Sequence, residues 1–122
     1  MALFRLGLTY DHTTFVRGDG VFLRPAEMAD FEAWARLRER SRAFLTPWEP
    51  IWPNDDLTRG AFRRRVKRHA EEMARDEAFP FLIFRSRDRA LVGGLTIGQI
   101  RRGVAQAGTI GYWVGVDHAG QG

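Results

Sequence analysis

Hydrophobic positions change their period twice along the chain, and the changes divide it into elements. Residues 1–19 show no clear period. Gly18-Asp19-Gly20 signals a turn, and Val21-Phe22-Leu23-Arg24 predicts a short strand stopped by Pro25. Over residues 30–40 the apolar side chains recur at helical spacing, at Phe31, Trp34, Ala35 and then Leu37 or Arg38. Asp30 stands where an acidic residue favours a helix start. Residues 41–56 hold Pro47, Pro50 and Pro53 with Phe44, Trp48 and Trp52 between them, which predicts a loop because proline lacks the backbone donor a helix needs. A loop this long either pins its aromatics onto the body or lines a pocket. A second helix follows to about Asp76, capped by Asp55, Asp56 or Thr58. Its predicted apolar stripe is Phe62, Val66, Ala70 and Met73.

From Phe79 the period is two. Residues 79–85 predict a strand, 86–89 a tight polar turn, and 90–99 a second strand. Gly93 and Gly94 in that strand mark a bulge or a close approach. A turn region around Arg101-Arg102-Gly103 leads to a third strand over 109–116. Both faces of that strand are apolar, so it is expected to lie centrally in the sheet. The predicted order is strand, helix, helix and three strands joined by hairpins, an α+β fold.

Composition narrows the class. The chain has 122 residues, which is one domain with a sizeable core. It has no cysteine, so disulfides, thiolate catalysis and cysteine-held zinc are excluded. No apolar run approaches membrane-helix length and the first residues show no leader, so a cytoplasmic protein is expected. His12 and His69 lack partners at ligand spacing, and no metal is expected. The formal net charge is +4, and residues 57–76 alone carry seven basic and three acidic side chains. Arg63, Arg64, Arg65, Lys67 and Arg68 thus form a basic stripe. It is either a solvated helix face or a contact for phosphates of RNA, the ribosome or a nucleotide cofactor.

The final twelve residues read GYWVGVDHAGQG, an apolar strand running into glycines. A glycine-rich turn after a strand can present backbone amides to a phosphate, or it can be a flexible tail. With VFLRPAEMADFEAWARLRERSRAFLTPWEP and VGGLTIGQI before it, this stretch resembles the GNAT N-acetyltransferase superfamily, and within it the ribosomal-protein-alanine (Rim-type) enzymes. The resemblance runs from Val21 to Gly122 and covers the N-terminal portion of that fold, whose C-terminal half is not represented.

The resemblance implies a mixed, mostly antiparallel sheet with two helices after the first strand. It implies acetyl-coenzyme A as co-substrate and an amine acceptor, such as the N-terminal α-amine of a ribosomal or other protein. Trp113, Val114, Gly115 and Val116 then hold the pantetheine arm, and Ala119, Gly120, Gln121 and Gly122 begin the pyrophosphate loop. Ala119 departs from the family's Gln or Arg, and Thr109 stands where many relatives carry Glu. Neither Tyr10 nor Tyr112 matches the family's leaving-group acid. Glu49 is the candidate base, with Trp48, Glu49 and Trp52 as acceptor contacts; His118 beside the loop is a candidate cofactor contact. The 122-residue chain alone is expected to be a poor enzyme and, with an apolar strand edge open, prone to self-association. The rival readings are a non-catalytic RNA- or ribosome-associated basic module and a small domain used for protein contacts.

Overall fold

A computed structural model describes residues 16–98 and 109–120. Its five strands are β1 (Val16–Arg17), β2 (Val21–Arg24), β3 (Phe79–Arg85), β4 (Leu91–Gly98) and β5 (Thr109–Val114). They form one sheet in the order β1-β2-β3-β4-β5, with every described pair antiparallel. Helix α1 (Phe31–Arg40), the single turn α2 (Arg42–Leu45) and helix α3 (Arg59–Ala74) lie between β2 and β3. The expected α+β order is therefore present.

The alternation in β3 divides the core. Leu82 and Phe84 pack with Trp34 of α1 and Phe62 of α3, with Phe22 and Trp113 beside them. Phe79 and Phe81 pack with Met73, Leu23, Leu95 and Ile97. Helix α1 begins where Asp30 accepts from the Glu27 backbone N–H at 2.8 Å and pairs bidentately with Arg24. Helix α3 begins at Thr58, whose hydroxyl accepts from Ala61 N–H at 3.2 Å. Asp55 and Asp56 do not cap it; they pair with Arg64 and Arg65.

Four expectations are corrected. Val16–Arg17 is a strand, hairpinned to β2 across Gly20 at φ +79; two residues are too few to show a period. The 41–56 segment is not loop throughout, since α2 and a 3-10 turn at Thr46–Trp48 occupy its start. Pro47 is tolerated there because the opening of a helical turn needs no donor. In α3, Ala70 is exposed and His69 is the half-buried member of the inward face. Finally, β5 ends at Val114 and is the outer strand of the described sheet. Its apolar residues lie on both faces for different reasons. Trp113 packs on the core, while Ile110 and Tyr112 are 69% and 74% exposed.

The glycines of β4 show both a bulge and a close approach. The β3 register runs Ile83 to Gly93 and then Phe84 to Leu91, so Val92 is the extra residue. Val92 C=O accepts from Gly115 N–H at 2.8 Å. A Cβ on Gly93 would stand 2.2 Å from the Trp113 carbonyl oxygen, a backbone atom that cannot yield without moving β5. Gly93→Ala should therefore lower stability by about 2–3 kcal/mol in urea unfolding. Gly111→Ala, whose Cβ meets nothing within 4 Å, should change it by less than about 0.5 kcal/mol.

Candidate functional site

One turn of α1 organises the site. Arg38 is 7% exposed. Its Nη1 donates to Glu49 Oε2 at 3.1 Å and its Nη2 to Glu49 Oε1 at 2.9 Å. Trp52 Nε1 donates to the same Oε1 at 2.8 Å. The guanidinium lies 4.3 Å from the Trp52 ring centre and 4.8 Å from that of Trp113. Its buried Nε has no hydrogen-bond partner among the described residues. A planar cation held by a fork of two bonds and two aromatic faces suits arginine and no other residue.

This assembly walls an open cleft of about 340 Å³, bounded by Trp34, Arg38, Glu49, Trp52, Arg65 and Trp113. The structure thus brings Glu49 and Trp52 to the cleft. Trp48 does not line it and stands 84% exposed at the loop surface. Glu49 accepts three bonds, which leaves about one of a carboxylate's four lone-pair directions for a ligand.

Beyond the cleft lies the end of β5. Gly115 N–H bonds to Val92 C=O, so in this register residues 109, 111 and 113 face β4. The backbone groups of Ile110, Tyr112 and Val114 therefore point to the outer edge, which no described strand occupies. Buried Gly115 lies against α1, where a Cβ would stand 2.4 Å from Leu37 Cδ1. Val116 N–H donates to the Oγ of Ser41 at 2.9 Å, and Ser41 is fully buried. Val116–His118 forms a 3-10 turn, and Asp117 pairs with Arg40 at 2.9 Å. Ala119 is exposed, and Gly120 has φ +78, a left-handed conformation that favours glycine. Gln121 and Gly122 lie outside the described residues. His118 is half-buried, with its Nδ1 buried and unpartnered among the described residues.

Three contributors were not foreseen. Arg38 competed with Leu37 for one helical position, and both are buried. Ser41 carried no signal. Arg65 leaves the basic stripe, turning inward to pair with Asp56 at 3.4 Å and to lie over Trp34 at 5.1 Å. Burial lowers its pKa from the usual guanidinium value, against the pull of Asp56, and Arg38 and Arg68 add to the lowering. Arg63, Arg64, Lys67 and Arg68 remain exposed. His69 lines a smaller cavity on the inner side of Trp113. Burial pulls its pKa down to about 4, and the nearby Arg65 and Arg68 charges act in the same direction. The described residues include no group of three metal-ligating side chains, and no described helix is long and apolar enough to cross a membrane.

Comparison with known proteins gives the geometry a context. Residues 21–122 match the family model described as an acetyltransferase (GNAT) domain. The Bacillus subtilis protein named "Probable N-acetyltransferase YjcK" is 32% identical over 107 residues, which is 88% of this chain and 59% of that protein. The structure of Mycobacterium smegmatis RimJ in complex with CoA-disulfide superposes with a TM-score of 0.75 at 33% identity, covering 82% of this chain and 48% of that one. The Vibrio fischeri ribosomal-protein-S5-alanine acetyltransferase shares the fold, with a TM-score of 0.76 at 22% identity over 88% of this chain and 58% of that one. The chain spans about half the length of these relatives.

Two outcomes follow from the geometry. Arg38→Met leaves a largely buried Glu49 carboxylate without its cation and should cost about 3 kcal/mol in urea unfolding. Arg38→Lys should not restore the loss, because an ammonium cannot reproduce the fork or the stacking. For His69, the folded pKa of about 4 lies below the ordinary imidazole value of 6.5, so the unfolded chain binds the proton more readily. Its contribution is fully present above pH 6.5 and is lost as pH falls to about 4. Wild type should lose about 2–3 kcal/mol across that window relative to His69→Gln, measured by urea unfolding at each pH.

Proposed function

The chain belongs to the GNAT acetyltransferase family, and we propose that it moves an acetyl group from acetyl-coenzyme A to the N-terminal α-amine of a protein. One observation carries the reading. Trp113 near the end of β5 walls the Arg38–Glu49–Trp52 cleft, and the next residue, Val114, turns its backbone outward, so a thioester lying along β5 would meet an amine entering from that cleft.

The chain's own atoms supply the following chemistry. The pantetheine arm runs past Trp113, Val114, Gly115 and Val116 and pairs with the outward backbone of Val114, since Trp113 and Gly115 bond toward β4 and Ser41 holds the Val116 N–H. The pyrophosphate sits on the turn that Ala119 and Gly120 begin and Gln121 and Gly122 continue. As the amine nitrogen bonds to the thioester carbon, negative charge grows on the carbonyl oxygen. Val114 N–H faces the edge and is the donor for that oxyanion. Collapse breaks the carbon–sulfur bond; the amine proton leaves and the thiolate takes one up. An α-amine, with a pKa of about 8 against about 10.4 for lysine, needs little help to become neutral. Glu49 orients the acceptor through its remaining lone pair. The exposed Arg63, Arg64, Lys67 and Arg68 face is a contact for the ribosome, and its contribution would weaken with salt. The reaction belongs to the cytoplasm.

Thiol release from acetyl-coenzyme A tests this directly, because the sequence contains no cysteine to contribute background. Release is expected with peptides bearing a free α-amine and not with the same peptides N-terminally blocked. Absence of release with every free α-amine would overturn the reading. Glu49→Gln should raise the acceptor KM about tenfold and leave the acetyl-coenzyme A KM unchanged, as expected for one charge-assisted bond. Unchanged acceptor kinetics would remove the 49–52 segment from the site.

A further inference from the structure

Two arginines flank the buried Ser41, and they reach different surfaces. Arg42 bonds through Nε to Glu39 at 2.6 Å and lies 4.8 Å from the ring centre of Trp52, a wall of the cleft. Arg40, the last residue of α1, reaches instead to the turn after β5. Its Nε donates to Asp117 Oδ2 at 2.9 Å, and its two Nη groups have no partner among the described residues. We infer that Arg40 is a cofactor-binding residue, whose Nη groups donate to a phosphate of coenzyme A seated on the 116–120 turn. The inference rests on the acetyl-transfer reading and gives a role to a side chain which that reading leaves unused.

The turn needs a cation that it does not contain. Among residues 116–120 no side chain carries a permanent positive charge, and Asp117 carries a negative one. A carboxylate three residues ahead of Gly120 would repel phosphates held on the backbone there. Arg40 neutralises that carboxylate and still has donors left, because a guanidinium can serve two oxyanions at once. Its planar, paired N–H groups also match phosphate oxygens better than an ammonium does. The position is fixed by buried contacts. Leu37 lies against Gly115 and Ser41 holds the Val116 N–H, so the end of α1 carries Arg40 to the turn. Room for a ligand is present as well, since a Cβ on Gly120 would meet nothing within 4 Å and Ala119 is exposed. Stability does not account for the Arg40–Asp117 pair. The two side chains are 47% and 52% exposed, and such surface pairs contribute little to folding.

The test is binding, measured by titration calorimetry with coenzyme A, 3′-dephospho-coenzyme A and pantetheine. Arg40→Gln should weaken coenzyme A about tenfold, the loss expected of charge-assisted hydrogen bonds, and the gap from wild type should narrow as salt is raised. Pantetheine, which has no phosphate, should bind wild type and variant alike. A loss that persists with the dephospho compound assigns the contact to the pyrophosphate, and one confined to coenzyme A assigns it to the 3′-phosphate; either result supports the role. Arg40→Lys keeps the charge without the fork and should recover only part of the loss. Unchanged coenzyme A affinity in Arg40→Gln overturns the inference. An equal loss for pantetheine also overturns it, because Arg40 would then act only on the shape of the turn. Recovery of affinity on adding Asp117→Asn to Arg40→Gln overturns it too, since Arg40 would then only shield Asp117. These affinities decide the contact even if no α-amine is acetylated, whereas a wild type that binds no coenzyme A overturns the cofactor reading and the inference together.

Discussion

The structure depends on how the last turn of α1 is tied down. Leu37, Arg38 and Ser41 lie on one face of that turn, and each grips something distant in sequence. Arg38 holds Glu49 and stacks on Trp52 and Trp113. Leu37 fills the space that Gly115 leaves, and Ser41 anchors the Val116 N–H. The 49–56 segment has prolines where a ladder would need donors, so it cannot build regular backbone pairing of its own. Its position comes from side chains, chiefly the Arg38–Glu49 pair. Burying that pair is costly in desolvation, and the cost is offset because the fork, the Trp52 donor and two ring faces act on the same charges.

That arrangement links two surfaces through one rigid element. The Arg38–Glu49 cleft and the turn after β5 both hang from residues 37–41, so their separation is set by helix geometry and not by loop conformation. The sheet is adapted to the same contact. The bulge at Val92 supplies the carbonyl that holds Gly115, and Gly93 allows the β5 backbone to come close. These glycines are points where a side chain would part the two surfaces. The Arg40–Asp117 pair adds little to this, since both side chains are about half exposed.

The period of the sequence was enough to place α1, α3, β3 and β4, because each is long enough to show an alternation or a stripe. It was too coarse in three places. A two-residue strand and a single helical turn carry no period, which hid β1 and α2. On α3, Ala70 looked like the third stripe member by polarity. At about 100° per residue, however, Phe62, Val66, His69 and Met73 fall within about 60°, whereas Ala70 lies about 80° from Phe62. Angle decides burial, and the histidine follows the angle. On β5, apolar residues on both faces resembled a central strand, yet they serve a packed face at Trp113 and an open one at Ile110 and Tyr112. Of the site, the Glu49 and Trp52 segment and the end of β5 were legible as motif. Arg38 was not, because a cation among many arginines looks the same whether it is solvated or stacked.

The charge pattern of the cleft bears on how an amine would fare there under the acetyl-transfer reading. Two arginines face it, and each is matched by a carboxylate: Arg38 by Glu49, Arg65 by Asp56. An unmatched carboxylate would hold an entering amine as the ammonium ion, which has no lone pair to attack with. An unmatched arginine would repel the ammonium form and weaken capture of the species that dominates at neutral pH. Balanced pairs do neither, and they leave protonation close to the amine's own value. At a pKa of about 8, roughly a tenth of an α-amine is neutral at pH 7, against less than a thousandth of a lysine. On the acetyl-transfer reading, a cleft without excess charge thus discriminates between the two amines by their chemistry before any contact with the rest of the acceptor is made.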